Sequence, residues 1–233
     1  MKIQKKEIRR IEQSRKARAR KILELIQSAV HNTTALGTIR KASNSDPFRI
    51  LVSTILSART RDSVTERVSN RLFEKYSDPD SLANADPEKL ALDIRPVSFY
   101  HQKAKSIIGA SKQLIEKHGG KVPQNYPELL ELPGVGRKTA GCVLVYGFGE
   151  PAIPVDVHVH RVSNRIGLVK TDTPKETEES LEKLYDKKYW VDINELFVSF
   201  GQTVCLPITP HCGICPVKGM CKYYKENVRK KLR

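Results

Sequence analysis

Apolar positions recur at helical spacing along most of the chain. Ile22, Leu25, Ile26, Ala29 and Val30 fall on one stripe, Val64, Val68 and Leu72 on a second, and Ile107, Ile108, Leu114 and Ile115 on a third. Such stripes predict amphipathic helices with one face turned to a core. Start and stop signals punctuate them. Asp78-Pro79, Asp86-Pro87 and Thr173-Pro174 each set a capping side chain ahead of a first-turn proline, and Gly119-Gly120 ends another helix. Val155-Asp156-Val157-His158-Val159-His160 dissents, because apolar and polar residues alternate there and periodicity alone reads it as a strand. No repeat or low-complexity tract interrupts the pattern. An almost wholly helical protein is predicted.

At 233 residues the chain has room for one large or two small domains, and either can bury a core. No apolar run approaches the roughly 20 residues of a membrane span, and no leader-like apolar segment follows the N-terminus. A soluble, non-secreted protein with no membrane partner is expected. The net charge of +15 is unevenly spread: residues 1–21 carry ten Lys/Arg against Glu7 and Glu12, and residues 217–233 carry seven against Glu226. The middle is nearly neutral. Basic ends of this kind imply a polyanionic partner such as nucleic acid, bound through phosphate neutralisation and counterion release. A solubilising tail is the alternative; an Arg-rich transit peptide fits less well, since the N-terminal segment holds one serine and two glutamates.

The candidate chemistry centres on Leu132-Pro133-Gly134-Val135-Gly136-Arg137-Lys138-Thr139-Ala140. A helical pattern from Tyr126 to Leu132 runs into the glycines and an apolar run resumes at Thr139, so a tight hairpin between two helices is predicted. Backbone amides of such a turn, with the positive end of the next helix, suit a phosphate oxygen. Lys138 then sits in the first turn of that helix, where the dipole opposes the ammonium form and favours a nucleophilic amine. A P-loop is excluded by Arg137 standing where glycine must precede the lysine, and by the helical reading of residues 127–132. Taken alone, Lys138 is also compatible with an ordinary solvated helix face.

Four cysteines follow as Cys205-x6-Cys212-x2-Cys215-x5-Cys221, within 17 residues. One compact run with a single x2 spacing suits a cubane iron–sulfur cluster better than zinc, which is usually held by two separated Cys-x2-Cys knuckles. Two disulfides are the other possibility, though a chain of this length has little need of staples. Reduced cysteines fit a cytoplasmic setting, or a nuclear one in a eukaryote. The fifth, Cys142, lies in an apolar run and reads as a small buried hydrophobe.

The hairpin LPGVGRKTA, the VDVH segment and the cysteine run occur in the order and spacing of one family, and the chain resembles the endonuclease III group of helix-hairpin-helix DNA glycosylases. Residues 48–62 (FRILVSTILSARTRD) and 99–108 (FYHQKAKSII) add to the likeness, which covers most of the chain. The resemblance implies an all-α fold of two helical domains flanking a DNA-binding cleft. One is a six-helix domain with the hairpin, residues 40–150; the other is a discontinuous iron–sulfur domain, residues 1–39 and 151–233. It also implies that Asp156 begins a helix, overriding the strand-like alternation, and that Lys138 and Asp156 face each other across the cleft as catalytic residues. Cys205, Cys212, Cys215 and Cys221 would hold a 4Fe-4S cluster. The implied activity is a bifunctional glycosylase and AP lyase, acting as a monomer on double-stranded DNA with oxidised pyrimidines or abasic sites. Expected DNA contacts are Gly134, Val135, Gly136, Arg137 and Thr139 of the hairpin, with His158, Lys218 and Lys222.

Several positions depart from the family pattern. Arg59 stands where many bacterial members have Gln, and Phe99 where an aliphatic residue is often found. Both are candidates to fill the space left by an extruded base, Arg59 by hydrogen bonding and Phe99 by stacking; carboxylate capping and core packing are the respective alternatives. The loop between Cys205 and Cys212 has no Lys or Arg, which shifts the expected phosphate contacts to Lys218 and Lys222. His160 and His211 are read as structural, since the cysteines already complete a ligand set. A mismatch-specific adenine glycosylase of the same family is disfavoured by the hairpin lysine. A non-enzymatic iron–sulfur DNA-binding module would need neither Lys138 nor Asp156.

Overall fold

The computed structural model describes residues 2–30, 34, 37–38 and 46–232, with the backbone alone at 2–5 and 231–232. The chain divides into two compact units, Thr33–Pro154 and the pair Met1–Asn32 with Val155–Arg233; the sequence placed the limits near 40 and 150. Among the described residues there is no strand, and no helix is long and apolar enough to cross a membrane.

In the unit Thr33–Pro154 the first described helix, α2 (Pro47–Ser57), is its centre. Asp46 caps it by accepting from Phe48 N, and Phe48, Ile50, Leu51, Val52, Ile55 and Leu56 are buried. A helix apolar on nearly every side has to be surrounded. Its neighbours are α3 (Asp62–Lys75), α6 (Tyr100–His118) and α8 (Arg137–Cys142), the last continuing as a wider π turn over Val143–Phe148. Two short helices, α4 (Pro79–Ala83) and α5 (Pro87–Asp93), lie against α6; each starts at an Asp-Pro pair whose carboxylate accepts a first-turn amide. Gly119, left-handed at φ 58°, closes α6. Helix α7 (Tyr126–Glu131) is capped by Asn125 and leads into the hairpin. Cys142 is fully buried, as expected of a small hydrophobe.

The other unit joins both chain ends. Helix α1 (Lys2–Ala29) packs on α10 (Pro174–Leu184) and α11 (Trp190–Thr203). Its buried stripe is Ala19, Ile22, Leu23 and Ile26, whereas Leu25, Ala29 and Val30 are half-buried or more exposed. The stripe therefore sits a little earlier than the sequence periodicity placed it. Arg18 ties the helix down by donating to the carbonyls of Ile166, Gly167 and Met220 at 2.7–3.0 Å. Helix α9 (Val157–Ile166) packs on α11 and ends at Gly167, φ 78°. The residues that alternate like a strand are thus the start of a helix.

Candidate active site

The hairpin is the turn Leu132–Gly136 between α7 and α8. Val135 N donates to Leu132 O at 3.0 Å and Ala140 N to Gly136 O at 2.9 Å. Gly134 has φ +80°, and a Cβ there would lie 2.7 Å from Ser106 Cβ on α6. Both the backbone angle and the packing demand glycine. Helix α8 begins at Arg137, two residues before the apolar run suggested, so Lys138 is its second residue and is exposed. Gly134, Gly136 and Arg137 are exposed as well, and the Arg137 guanidinium lies 5.3 Å from the Tyr126 ring centre. Thr139 is half-buried. Val135 is 7% exposed and its amide donates to Leu132 O, so it belongs to the core and the turn rather than to the contact surface expected of it.

Beside the hairpin, in the same unit, an open recess of about 270 Å³ is lined by Arg59, Phe99, Lys103, Ser106 and Gly134 among others. Arg59 (φ 55°) and Phe99 (φ 57°) are the non-glycine residues with left-handed backbone among those described. Such residues are uncommon and gather at functional sites. Phe99 is 57% exposed, which rules out a core role. The Arg59 guanidinium lies 5.7 Å from the Phe99 ring centre, a cation–π arrangement in place of the carboxylate cap that was the alternative. Sequence reading passed over Lys103, which is buried with its Nζ donating to Leu56 O, Ala58 O and Thr60 Oγ1. Burial pushes its pKa down to about 8. An isolated lysine in an amphipathic helix gives no sign that carbonyls await it.

In the second unit Asp156 is the N-cap of α9, where its Oδ1 accepts from His158 N at 2.8 Å and Val159 N at 2.9 Å. A carboxylate at a helix N-terminus is held in place and favoured by the dipole. His158 is half-buried, with Nδ1 3.1 Å from an Arg161 nitrogen that also donates to Gly201 O and Cys205 O. That places His158 in the packing of α9 on α11, where Gly201 leaves room for it. His160 is structural as expected, 2.7 Å from Thr177 Oγ1. Lys218 is exposed and donates to Gly213 O at 2.9 Å, while Lys222 lies against Gly167.

Cys205, Cys212, Cys215 and Cys221 line one cavity with Phe200 and Val217. None of the five cysteines forms a disulfide. Burial raises the thiols of Cys212 and Cys221, and pushes Cys215 up to about 11. Arg165 brings a guanidinium nitrogen to 3.9 Å from Cys205 Sγ and lies over the Tyr223 ring. Among the described residues no three His, Cys, Asp or Glu side chains converge closely enough to hold one metal ion.

Residues 52–187 match the family of HhH-GPD superfamily base excision DNA repair proteins. Endonuclease III of Thermotoga maritima is 50% identical over 194 residues, covering 83% of this chain and 91% of that protein. A solved structure of a non-covalent endonuclease III–DNA complex superposes with a TM-score of 0.83 at 36% identity, covering 92% of this chain and 98% of that one. A trapped endonuclease III–DNA covalent intermediate gives a TM-score of 0.80 at 35% identity, covering 94% and 99%. An exposed lysine opening the helix after a glycine hairpin, a helix-capping aspartate and four cysteines round one cavity are therefore not chance features: the chain belongs to the endonuclease III family of HhH-GPD base excision DNA repair proteins.

Proposed function

We propose that this protein excises oxidised pyrimidines from double-stranded DNA as a monomeric glycosylase and AP lyase, with Lys138 as its nucleophile. The observation that carries the reading is the place of Lys138, exposed in the first turn of the helix that leaves the hairpin. The trapped covalent intermediate of the structural relative supports a protein group that bonds to DNA. In that reading the Lys138 amine attacks C1′ of the damaged nucleoside and the base departs with the glycosidic electron pair. The amine loses a proton and the C1′–O4′ bond of the resulting aminal opens, O4′ taking up a proton, to give a Schiff base; this acidifies the 2′ hydrogen, whose loss expels the 3′ phosphate by β-elimination. Asp156 stabilises the cationic sugar or helps to activate the amine.

The other residues serve access and binding. C1′ is reachable only when the nucleotide leaves the stack, and Arg59 with Phe99 is assigned to fill the space it vacates. Hairpin amides at Gly134 and Gly136, with Arg137, Thr139, Lys218 and Lys222, are assigned to phosphates, which position the protein without reading sequence; the Val135 amide already donates to Leu132 O within the turn. His158 braces α9 on the side of Asp156. Cys205, Cys212, Cys215 and Cys221 are assigned to a 4Fe-4S cluster: a cubane spreads its four thiolates over separate irons, which suits thiols arranged around an apolar cavity. When bound, the cluster supplies a cross-link between the end of α11 and the C-terminal turns. The chemistry at the sugar does not pass through it.

Borohydride trapping on duplexes carrying thymine glycol, uracil, 8-oxoguanine or no lesion tests the reading. A covalent adduct and strand scission are expected with thymine glycol and with a preformed abasic site. Trapping with uracil alone would move the assignment to a mismatch glycosylase.

A further inference from the structure

One buried cation has no part in the chemistry above. Lys103 is 7% exposed, and its Nζ donates to Ala58 O at 2.6 Å, Leu56 O at 2.7 Å and Thr60 Oγ1 at 3.0 Å. Three acceptors match the three protons of an ammonium group. All three belong to the end of α2 and the turn after it, which holds Arg59 in its left-handed conformation. Thr60 Oγ1 also accepts from Ser98 N at 3.3 Å. One hydroxyl thus joins the turn bearing Arg59 to the turn bearing Phe99, and one ammonium fixes that hydroxyl.

The location matters as much as the bonds. Left-handed backbone at a non-glycine residue persists only where the surroundings over-determine it. Here two such residues, far apart in sequence, bring a guanidinium and a ring to 5.7 Å. Lys103 lies one turn from Ser106, the residue on which hairpin Gly134 packs, and all of them line the same recess. A lysine serving only to cap the carboxyl end of α2 would have no reason to reach Thr60.

We propose that Lys103 is a positioning residue that holds Arg59 and Phe99 together as a preformed wedge for the gap left by an extruded nucleotide. The inference rests on the glycosylase reading of this site. Lys103 acts through the two wedge side chains and does not touch the reacting carbon. Its effect is therefore confined to duplex substrates. A single strand with an abasic site has no orphan base and no gap to fill.

The test compares trapping of a preformed abasic site in single-stranded DNA with the same site in a duplex, opposite 2-aminopurine. Lys103→Met keeps the stem and removes the ammonium group. Duplex trapping should fall by about ten- to a hundredfold, the scale of a misplaced positioning group. The 2-aminopurine response should fade with it, while single-strand trapping stays near wild type. Thr60→Val removes the shared hydroxyl only, and should give the same selectivity in weaker form even if Lys103→Met folds poorly. Equal losses on both substrates, or an unchanged duplex to single-strand ratio in both variants, would overturn the positioning role. If the wild-type protein traps neither substrate, the glycosylase reading falls and this inference with it.

Discussion

Lys138 and Asp156 divide the proposed chemistry, and each can be removed without disturbing what holds it. Lys138 is exposed, so Lys138→Gln should leave stability within about 0.5 kcal/mol while abolishing the borohydride adduct and strand scission. Duplex binding should survive. Full scission by that variant would remove the amine from the mechanism. Asp156 also caps α9, and Asn caps equally well, so Asp156→Asn keeps the fold but loses the charge. Base release should slow by about 10²-fold or more, as when one stabilising group is taken from a developing charge; single-turnover kinetics at unchanged Tm would show it. Asp156→Ala should in addition cost about 1 kcal/mol. The place of Lys138 was legible in the glycine turn ahead of its helix, whereas the helix start at Asp156 was legible only through the family resemblance. Lys103 was legible in neither way. Its partners are two carbonyls and a hydroxyl on another element, and backbone acceptors leave no mark in a sequence. The left-handed angles of Arg59 and Phe99 were hidden for the same reason, since nothing local favours them.

Caps decided the elements where periodicity and local chemistry disagreed. Residues 155–160 alternate as a strand would, yet Asp156 accepts two first-turn amides and Val159 and Val162 turn inward with Ile166, a spacing of three and four. Six residues are too few for a period to outweigh a cap and its tertiary packing. Start signals with proline after a capping residue were reliable at α4, α5 and α10, where cap and proline act on the same turn. The stripe of α1 shifted because long helices offer more apolar positions than their partners cover. At the hairpin, Gly134 is constrained twice over, by φ +80° and by Ser106 Cβ at 2.7 Å from a would-be Cβ. Gly134→Ala should therefore destabilise by about 1–3 kcal/mol in denaturant unfolding. Adding Ser106→Gly should recover the packing share and leave the backbone share, so the double variant is less destabilised than the sum of the singles. Strict additivity would show that the two side chains do not meet.

The whole molecule combines a charge pattern and a cysteine cavity that can be tested apart from catalysis. The purified protein should be brown and contain about four irons and four sulfides per chain; zinc alone on metal analysis would refute the cluster assignment. The charge pattern bears on binding. Of the 15 excess positive charges, 14 lie in residues 1–21 and 217–233. Residues 6–15 of α1 are exposed, Ile8 and Ile11 included, and the packing of this helix begins only with the Lys16–Asp186 ion pair, the Arg18 bonds and Ala19. Deleting residues 1–14 removes five Lys/Arg and two Glu, yet spares that ion pair, those bonds and that packing. The truncated protein should keep its thermal stability. If the exposed half-helix touches phosphates, the truncation should weaken binding to damaged and undamaged duplexes alike, because phosphate contacts are blind to the lesion. The log–log dependence of affinity on salt should flatten by roughly 0.9 for each phosphate that the truncated protein no longer neutralises, so a difference of two phosphates would already be measurable. A change confined to damaged duplexes would place these residues at the lesion instead, and an unchanged slope in a well-folded truncation would exclude the N-terminal half-helix from the DNA footprint.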